Sequence, residues 1–304
     1  MRISIKKVLL ILFVFLSSIK LVSSQDWMKS LEVAKKLALT QNKMLFVMWE
    51  ESIQYELPVI VPNNAGESIY VEDLLLSEEL NAIIWDLFVP VLLNETEYDD
   101  LYNEIKDKRS FGYLELFRDD TIKIMDVNGN ILNTAYVNYN YFEFRKFVEK
   151  YALNTKMLEQ ELRNYRRKKD FYTAFYLGAK YIDFAVYSRA DIRAEIIELS
   201  NIYLDEAKSY LETMENEDNF NLETRWDLIK IKQDLVLNKP RKVIRQLNRI
   251  DRELLTPVNR SLMAFLYFTA FRLEDDTENT VEWRSEVSLV DMKEANYIYQ
   301  NIKE

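Results

Sequence analysis

The sequence predicts a mixed α/β domain over residues 25–153 followed by an all-helical domain over 154–304. Three of the four glycines (Gly66, Gly112, Gly129) and three of the five prolines (Pro58, Pro62, Pro90) fall in the first part, where short apolar runs alternate with amphipathic stretches. Beyond residue 151 only Gly178, Pro240 and Pro257 interrupt long segments of helical periodicity.

In the first part, Trp27, Leu31, Ala34 and Leu37/Ala38 follow helical spacing behind Asp26 as a cap. Met44–Trp49 (MLFVMW) reads as a buried strand, and residues 58–66, with Pro58, Pro62 and Gly66, as a loop. Ser77 caps a helix whose Leu80, Ile83, Ile84 and Leu87 share one face. Phe88–Leu93 (FVPVLL) is a second strand, and a helix follows around Leu101 and Ile105. Residues 121–126 and 131–136 flank Val127-Asn128-Gly129-Asn130, where Asn-Gly signals a hairpin. Asn140 with Glu143 has capping-box spacing for a helix burying Phe144, Phe147, Val148 and Tyr151. The predicted order is α-β-α-β-α-β-β-α.

The second part predicts helices over about 155–167, 171–186, 189–214, 222–237, 240–252, 257–273 and 281–302. Lys169-Asp170-Phe171-x-x-Ala174 resembles the turn into the second helix of a tetratricopeptide repeat, and Asn238-Lys239-Pro240-x-x-Val243 resembles another. Ala174 and Val243 lie 69 residues apart, near two repeat periods, with Ala207 a candidate for the repeat between.

Ahead of both parts, residues 1–24 have the form of an export signal. Arg2, Lys6 and Lys7 precede the apolar run Val8–Leu16, and Val22 and Ser24 are small residues placed for cleavage. The run is too short to span a bilayer and no other stretch approaches the required length, so export without a transmembrane anchor is expected. Loss of these residues leaves 36 basic against 50 acidic side chains, a net charge of −14. Such a charge repels phosphates and argues against nucleic acid as a ligand.

The composition excludes whole classes of chemistry. No cysteine means no thiol nucleophile, disulfide or thiolate metal site, and no histidine removes the commonest acid/base group and transition-metal ligand. No cofactor or metal is expected. Asp126-x-Asn128-Gly129-Asn130 matches part of a calcium loop but lacks the closing glutamate, so an ordinary hairpin turn is the reading.

The lead helix ending in Asn42-Lys43, the strand MLFVMW, the phrase SEELNAIIWDLFVPVLLN and TIKIMDVNGNIL with its following aromatic helix together resemble secreted bacterial thioredoxin-like proteins, over roughly residues 26–152. The resemblance implies a thioredoxin-like fold and places the family's redox motif, at the start of a helix, on Gln54-Tyr55-Glu56-Leu57. It places the family's buried acid on Met48 and its cis-proline on Asp120. None of these residues can perform the redox reaction, so the resemblance implies a pseudoenzyme. It also implies a client groove bordered by Trp49, Glu50 and Glu51 on one side and Arg118 to Thr121 on the other.

Basic residues cluster at the two repeat-like turns: Arg163, Arg166, Arg167, Lys168 and Lys169 at the first, and Lys239, Arg241, Lys242, Arg245 and Arg249 at the second. If both turns share one edge of the helical stack, they form a cationic strip for an acidic protein or anionic headgroups, against the ordinary reading of solvated helix ends. Tyr136, Tyr139 and Tyr141 are candidates for an exposed adhesive face, with packing as the default.

The expected function is a non-enzymatic protein-binding module, an adaptor or accessory subunit of an envelope assembly in the periplasm or outside the cell. Peripheral association with a membrane complex is left open. The alternative is a carboxylate-based hydrolase using Glu50, Glu51 or Asp120 at the C-terminal ends of the strands.

Overall fold

The computed structural model describes residues 26–62, 67–134, 142–214 and 218–303. The expected export signal, Gly66, Asn140 and Tyr136, Tyr139 and Tyr141 lie outside the described residues.

Helix α1 (Leu31–Gln41) leads into strand β1 (Met44–Trp49). The helix starts later than the spacing from Trp27 predicts, and Asp26 does not cap it. Met28 is held in extended form, its N–H donating to Pro90 O at 3.0 Å and its carbonyl accepting from Leu92 N at 2.9 Å. Trp27 instead packs into the core and donates its indole N–H to Asn81 Oδ1 at 2.7 Å. Asn42 closes α1 at φ 56°, the left-handed conformation an asparagine tolerates.

Strand β1 fills the centre of a sheet and is buried from Met44 to Met48. After it come a 3-10 turn (Glu51–Gln54), β2 (Val59–Pro62), β3 (Ser68–Val71), α2 (Glu78–Leu87) and β4 (Phe88–Leu93). Ser77 caps α2 as expected, accepting from Leu80 N at 3.3 Å. Next are α3 (Glu95–Ile105), α4 (Phe111–Arg118), β5 (Lys123–Met125), β6 (Phe142–Glu143) and α5 (Phe144–Tyr151). The central sheet runs β4-β1-β5, with β4 parallel and β5 antiparallel to β1. Single bridges extend it at both sides: Met28 pairs with Val91 in parallel, and Ile131 pairs with Met125 in antiparallel sense.

Three local expectations are corrected. Part of the stretch read as a loop forms β2, the residues just after it form β3, and the two make with β6 a second sheet in the order β3-β2-β6. Pro58 and Pro62 sit just before and at the end of β2, where a missing N–H costs least. Helix α4, capped by Ser110, was not expected, because Gly112 and the exposed Phe111 break the apolar spacing. Glu143 does not take the third helical position expected of it: it pairs with Ile60 in the second sheet and stands just before α5, while its expected partner Asn140 lies outside the described residues.

The second part begins with a 3-10 turn (Thr155–Leu158) and continues through α6 (Glu159–Arg167), α7 (Phe171–Val186), α8 (Arg193–Thr213), α9 (Asn219–Val236), α10 (Pro240–Leu247), α11 (Pro257–Leu273), α12 (Thr277–Arg284) and α13 (Leu289–Lys303). The last expected helix is thus two, with Asp276 capping the first. Asp170 and Thr173 form a capping box at the first repeat-like turn. Ala174, Ala207 and Val243 are all fully buried, but Ala207 lies inside the unbroken α8 and marks no turn.

Helices α7 and α8 approach closely at Gly178, where an added Cβ would lie 2.7 Å from Leu204 Cγ. Ser200 Oγ donates to Gly178 O at 2.7 Å, and the Tyr181 and Tyr203 rings stack 5.5 Å apart. A single apolar core runs through both parts of the molecule. Among the described residues, no helix is long and apolar enough to cross a membrane.

Candidate functional site

The C-terminal end of β1 is built from aromatic rings. Trp49 packs against Tyr98 and Phe117, with the Phe117 ring centre 6.3 Å away. Tyr98 stacks on Phe117 at 4.8 Å, and Tyr102 lies 6.3 Å beyond it. Arg118 covers the outer ring, its guanidinium carbon 4.7 Å from the centre of Tyr102, and hydrogen-bonds the Tyr102 hydroxyl. Burial raises the Tyr98 phenol above its usual range against the opposing pull of Arg118. Trp49 and Arg118, two borders of the expected groove, therefore meet in one cluster.

The remaining border residues are polar and held locally. Thr121 donates from its N–H and hydroxyl to Asp119 Oδ1 at 2.9 and 2.5 Å. Lys123, buried beneath them, bonds Asp119 Oδ1 at 2.5 Å and Thr121 O at 2.8 Å. Burial pulls its ammonium below the usual lysine range, and Asp119 only partly offsets this. Asp120 is exposed in the bend before β5, and Glu50 and Glu51 are exposed just past β1. Glu50 makes a long ion pair with Lys29 at 3.9 Å. Among the described residues no three acidic side chains gather in a way that could hold a metal ion.

Of the positions carried over from the redox motif, Met48 is buried in β1 opposite Leu92. Gln54 ends the 3-10 turn, Tyr55 is extended at φ −109° and ψ 138°, and Gln54, Tyr55 and Glu56 are exposed while Leu57 is half-buried. No helix begins there. Pro58 disfavours helical backbone at the residue before it, and the chain continues into β2. The next helix starts at Glu78.

The cationic strip does not form. Helices α7, α8 and α9 run antiparallel, as Tyr181 against Tyr203, Trp226 donating to Leu204 O and Lys230 donating to Asn201 Oδ1 require. The turn after α6 therefore lies near the C-terminal end of α8, and the turn after α9 near its N-terminal end. These points are separated by about 25 Å at 1.5 Å per residue. Several of the cations are also engaged: Arg163 with Glu159 at 2.9 Å, Lys168 with Asp170 at 2.7 Å, Arg241 with Glu274 at 2.7 Å and Lys242 with Asp234 at 3.0 Å. Arg166 donates to Val127 O at 2.7 Å, and Lys169 lies 5.4 Å over the Tyr165 ring. Arg167, Lys239 and Arg245 are exposed.

A buried polar junction escaped the sequence reading. Asp126, at the first position of the hairpin turn, is 1% exposed. Its Oδ1 accepts from Asn128 N at 2.9 Å and Asn130 N at 3.0 Å. Its Oδ2 accepts from the hydroxyls of Tyr181, at 3.1 Å, and Tyr203, which come from α7 and α8. Asn128 and Asn130 in turn donate to the Tyr203 oxygen at 2.8 and 3.0 Å. Arg109 bridges Asn130 Oδ1 at 3.1 Å and Glu206 Oε1 at 3.2 Å. Burial, reinforced by the Asp126 carboxylate, pushes the Tyr181 and Tyr203 phenols well above their ordinary range. The turn thus fastens the α/β part to the helices.

Comparison with known proteins gives no matching family model, no matching curated protein and no matching solved structure.

Proposed function

We propose that this chain is a protein-binding scaffold: a thioredoxin-like domain without redox chemistry, fused to a stack of helical hairpins. The thioredoxin-like reading is supported by the hydrogen-bonded order Met28, β4, β1, β5, Ile131, with β5 antiparallel beside a central β1. The binding reading rests chiefly on what occupies the end of β1. Where a catalytic group would stand, there is an aromatic stack under Arg118, and aromatic and arginine side chains suit protein contacts. The carboxylates that a hydrolase would need are exposed rather than converging in a pocket. The junction at Asp126 supports a scaffold role by fixing the two parts in one orientation.

Affinity isolation of the tagged mature protein from its native source, followed by mass spectrometry, tests this reading. Stoichiometric recovery of one protein complex is expected. Recovery of the chain alone under gentle extraction, together with turnover in a panel of ester, glycoside and peptide substrates, contradicts it.

A further inference from the structure

The 61 residues between Met44 and Lys106, taken up to Glu104, contain fourteen aspartates and glutamates and no lysine or arginine. The remainder of the chain after residue 24 balances, with 36 basic and 36 acidic side chains. All of the net negative charge expected for the mature protein therefore resides in one segment. Of its fourteen carboxylates only Asp73 and Glu97 are half-buried, and the others are exposed.

Within this segment, β3 is an edge strand. It pairs with β2 on one side, and among the described residues nothing pairs with its other side. Successive strand residues point to opposite faces, yet both Ile69 and Tyr70 are exposed, Tyr70 at 61%. β3 is thus open on both faces over Ser68–Tyr70, and only Val71 at its end is half-buried against the core. Its sequence, Ser-Ile-Tyr-Val, carries none of the charged side chains or prolines that usually block edge pairing.

The two ends of this hairpin are tied together. Leu74 N donates to Leu57 O at 2.9 Å, and Leu57 N donates to Asp73 Oδ1 at 3.5 Å. That link brings Tyr55 and Glu56, before β2, toward Glu72 and Leu76, after β3. Tyr55 is 76% and Leu76 82% exposed, so apolar and anionic groups mix at the base of a free strand.

We propose that the open edge of β3 receives an extended, cationic segment of a partner protein, which adds a strand to the β3-β2-β6 sheet. Main-chain hydrogen bonds to β3 hold the segment, its apolar side chains meet Ile69, Tyr70, Tyr55 and Leu76, and its lysines or arginines face the surrounding carboxylates. A second copy of this chain is a poor occupant, because edge-to-edge pairing would bring two such anionic segments together.

This proposal rests on the protein-binding reading and specifies where and what the chain binds. The probe is a short synthetic peptide of alternating lysine and valine, titrated into the mature protein with hydrogen exchange followed at residues 67–72. Saturable binding is expected, with slowed exchange in β3 and weakening as salt rises. N-methylation of alternate peptide amides and, separately, Ile69→Lys with Tyr70→Lys should each weaken binding at least about tenfold. Replacing the peptide lysines with glutamate should abolish it. Both substituted positions are exposed, and an unchanged unfolding temperature confirms that the variant is folded. No binding by the wild type, or binding indifferent to N-methylation and to the variant, overturns the proposal. A native complex recovered equally by wild type and variant also overturns it while leaving the binding reading intact.

Discussion

The helical stack and the segment from Met44 to Glu104 use charge in opposite ways. In the stack, ionic groups are matched and partly buried. Lys232 is buried between Asp183 at 2.8 Å and Glu294 at 2.5 Å. Burial alone would lower its pKa, but the two carboxylates outweigh that and hold it above the usual lysine range. The anionic segment has no cation of its own, and most of its carboxylates face solvent. Matched charge fixes the structure, whereas unmatched charge costs self-repulsion and is explained more readily by something it attracts.

The comparison breaks most visibly at the junction. Asp126→Ala removes an acceptor for two backbone N–H groups and two buried phenols, and should cost about 3–5 kcal/mol. That corresponds to a fall of about 5–9 °C in Tm by calorimetry. Tyr181→Phe and Tyr203→Phe should each cost less, about 1–2 kcal/mol, because the carboxylate keeps its other donors. A drop no larger for Asp126→Ala than for a surface substitution would show that the junction does not hold the parts together.

Alkaline titration probes the same region. Burial pushes the Tyr113 phenol up to about 12 from an ordinary 10.0. The folded pKa lies above the unfolded one, so this contribution is complete below pH 10 and is lost as pH climbs through 12. It amounts to about 2–3 kcal/mol. Tyr181 and Tyr203 shift in the same direction and steepen the loss. Denaturant unfolding from pH 9 to 12 should show falling stability, with a shallower fall in Tyr113→Phe.

Two glycines sharpen the contrast between packed and open surfaces. Gly178→Ala must displace Leu204 at the closest approach of α7 and α8, and should cost about 1–3 kcal/mol by chemical denaturation. Gly112→Ala meets nothing within 4 Å inside α4 and should be neutral or stabilise by up to about 1 kcal/mol.

Much of this architecture is legible in the sequence. β1 and β4 coincide with MLFVMW and FVPVLL because strands buried on both faces read as continuous apolar runs. Ser77 and Asp170 mark their helix starts because their side chains accept from the first turn. β2 and β3 are obscured by prolines that a short edge sheet accommodates at its margins. The junction is harder still: Asp126 lies in a polar turn of ordinary composition, and the phenols that bury it are 55 and 77 residues away. No local pattern reports such a partner. The missing cations between Lys43 and Lys106 are plain from counting, but only the unpaired edge of β3 gives that charge an address.

The smallest expected effect on stability is also the most informative about function. Glu50, Glu51, Glu56, Glu72 and Glu79 are exposed, and changing all five to glutamine should leave Tm unchanged or raise it slightly as repulsion falls. The direct measurement is recovery of the native partner by this variant and by the wild type, at matched expression and with Tm recorded for both. Recovery reduced about tenfold or more at unchanged Tm is the predicted result. Full recovery, or a loss explained by a collapsed Tm, would contradict the claim that the unmatched charge serves recognition.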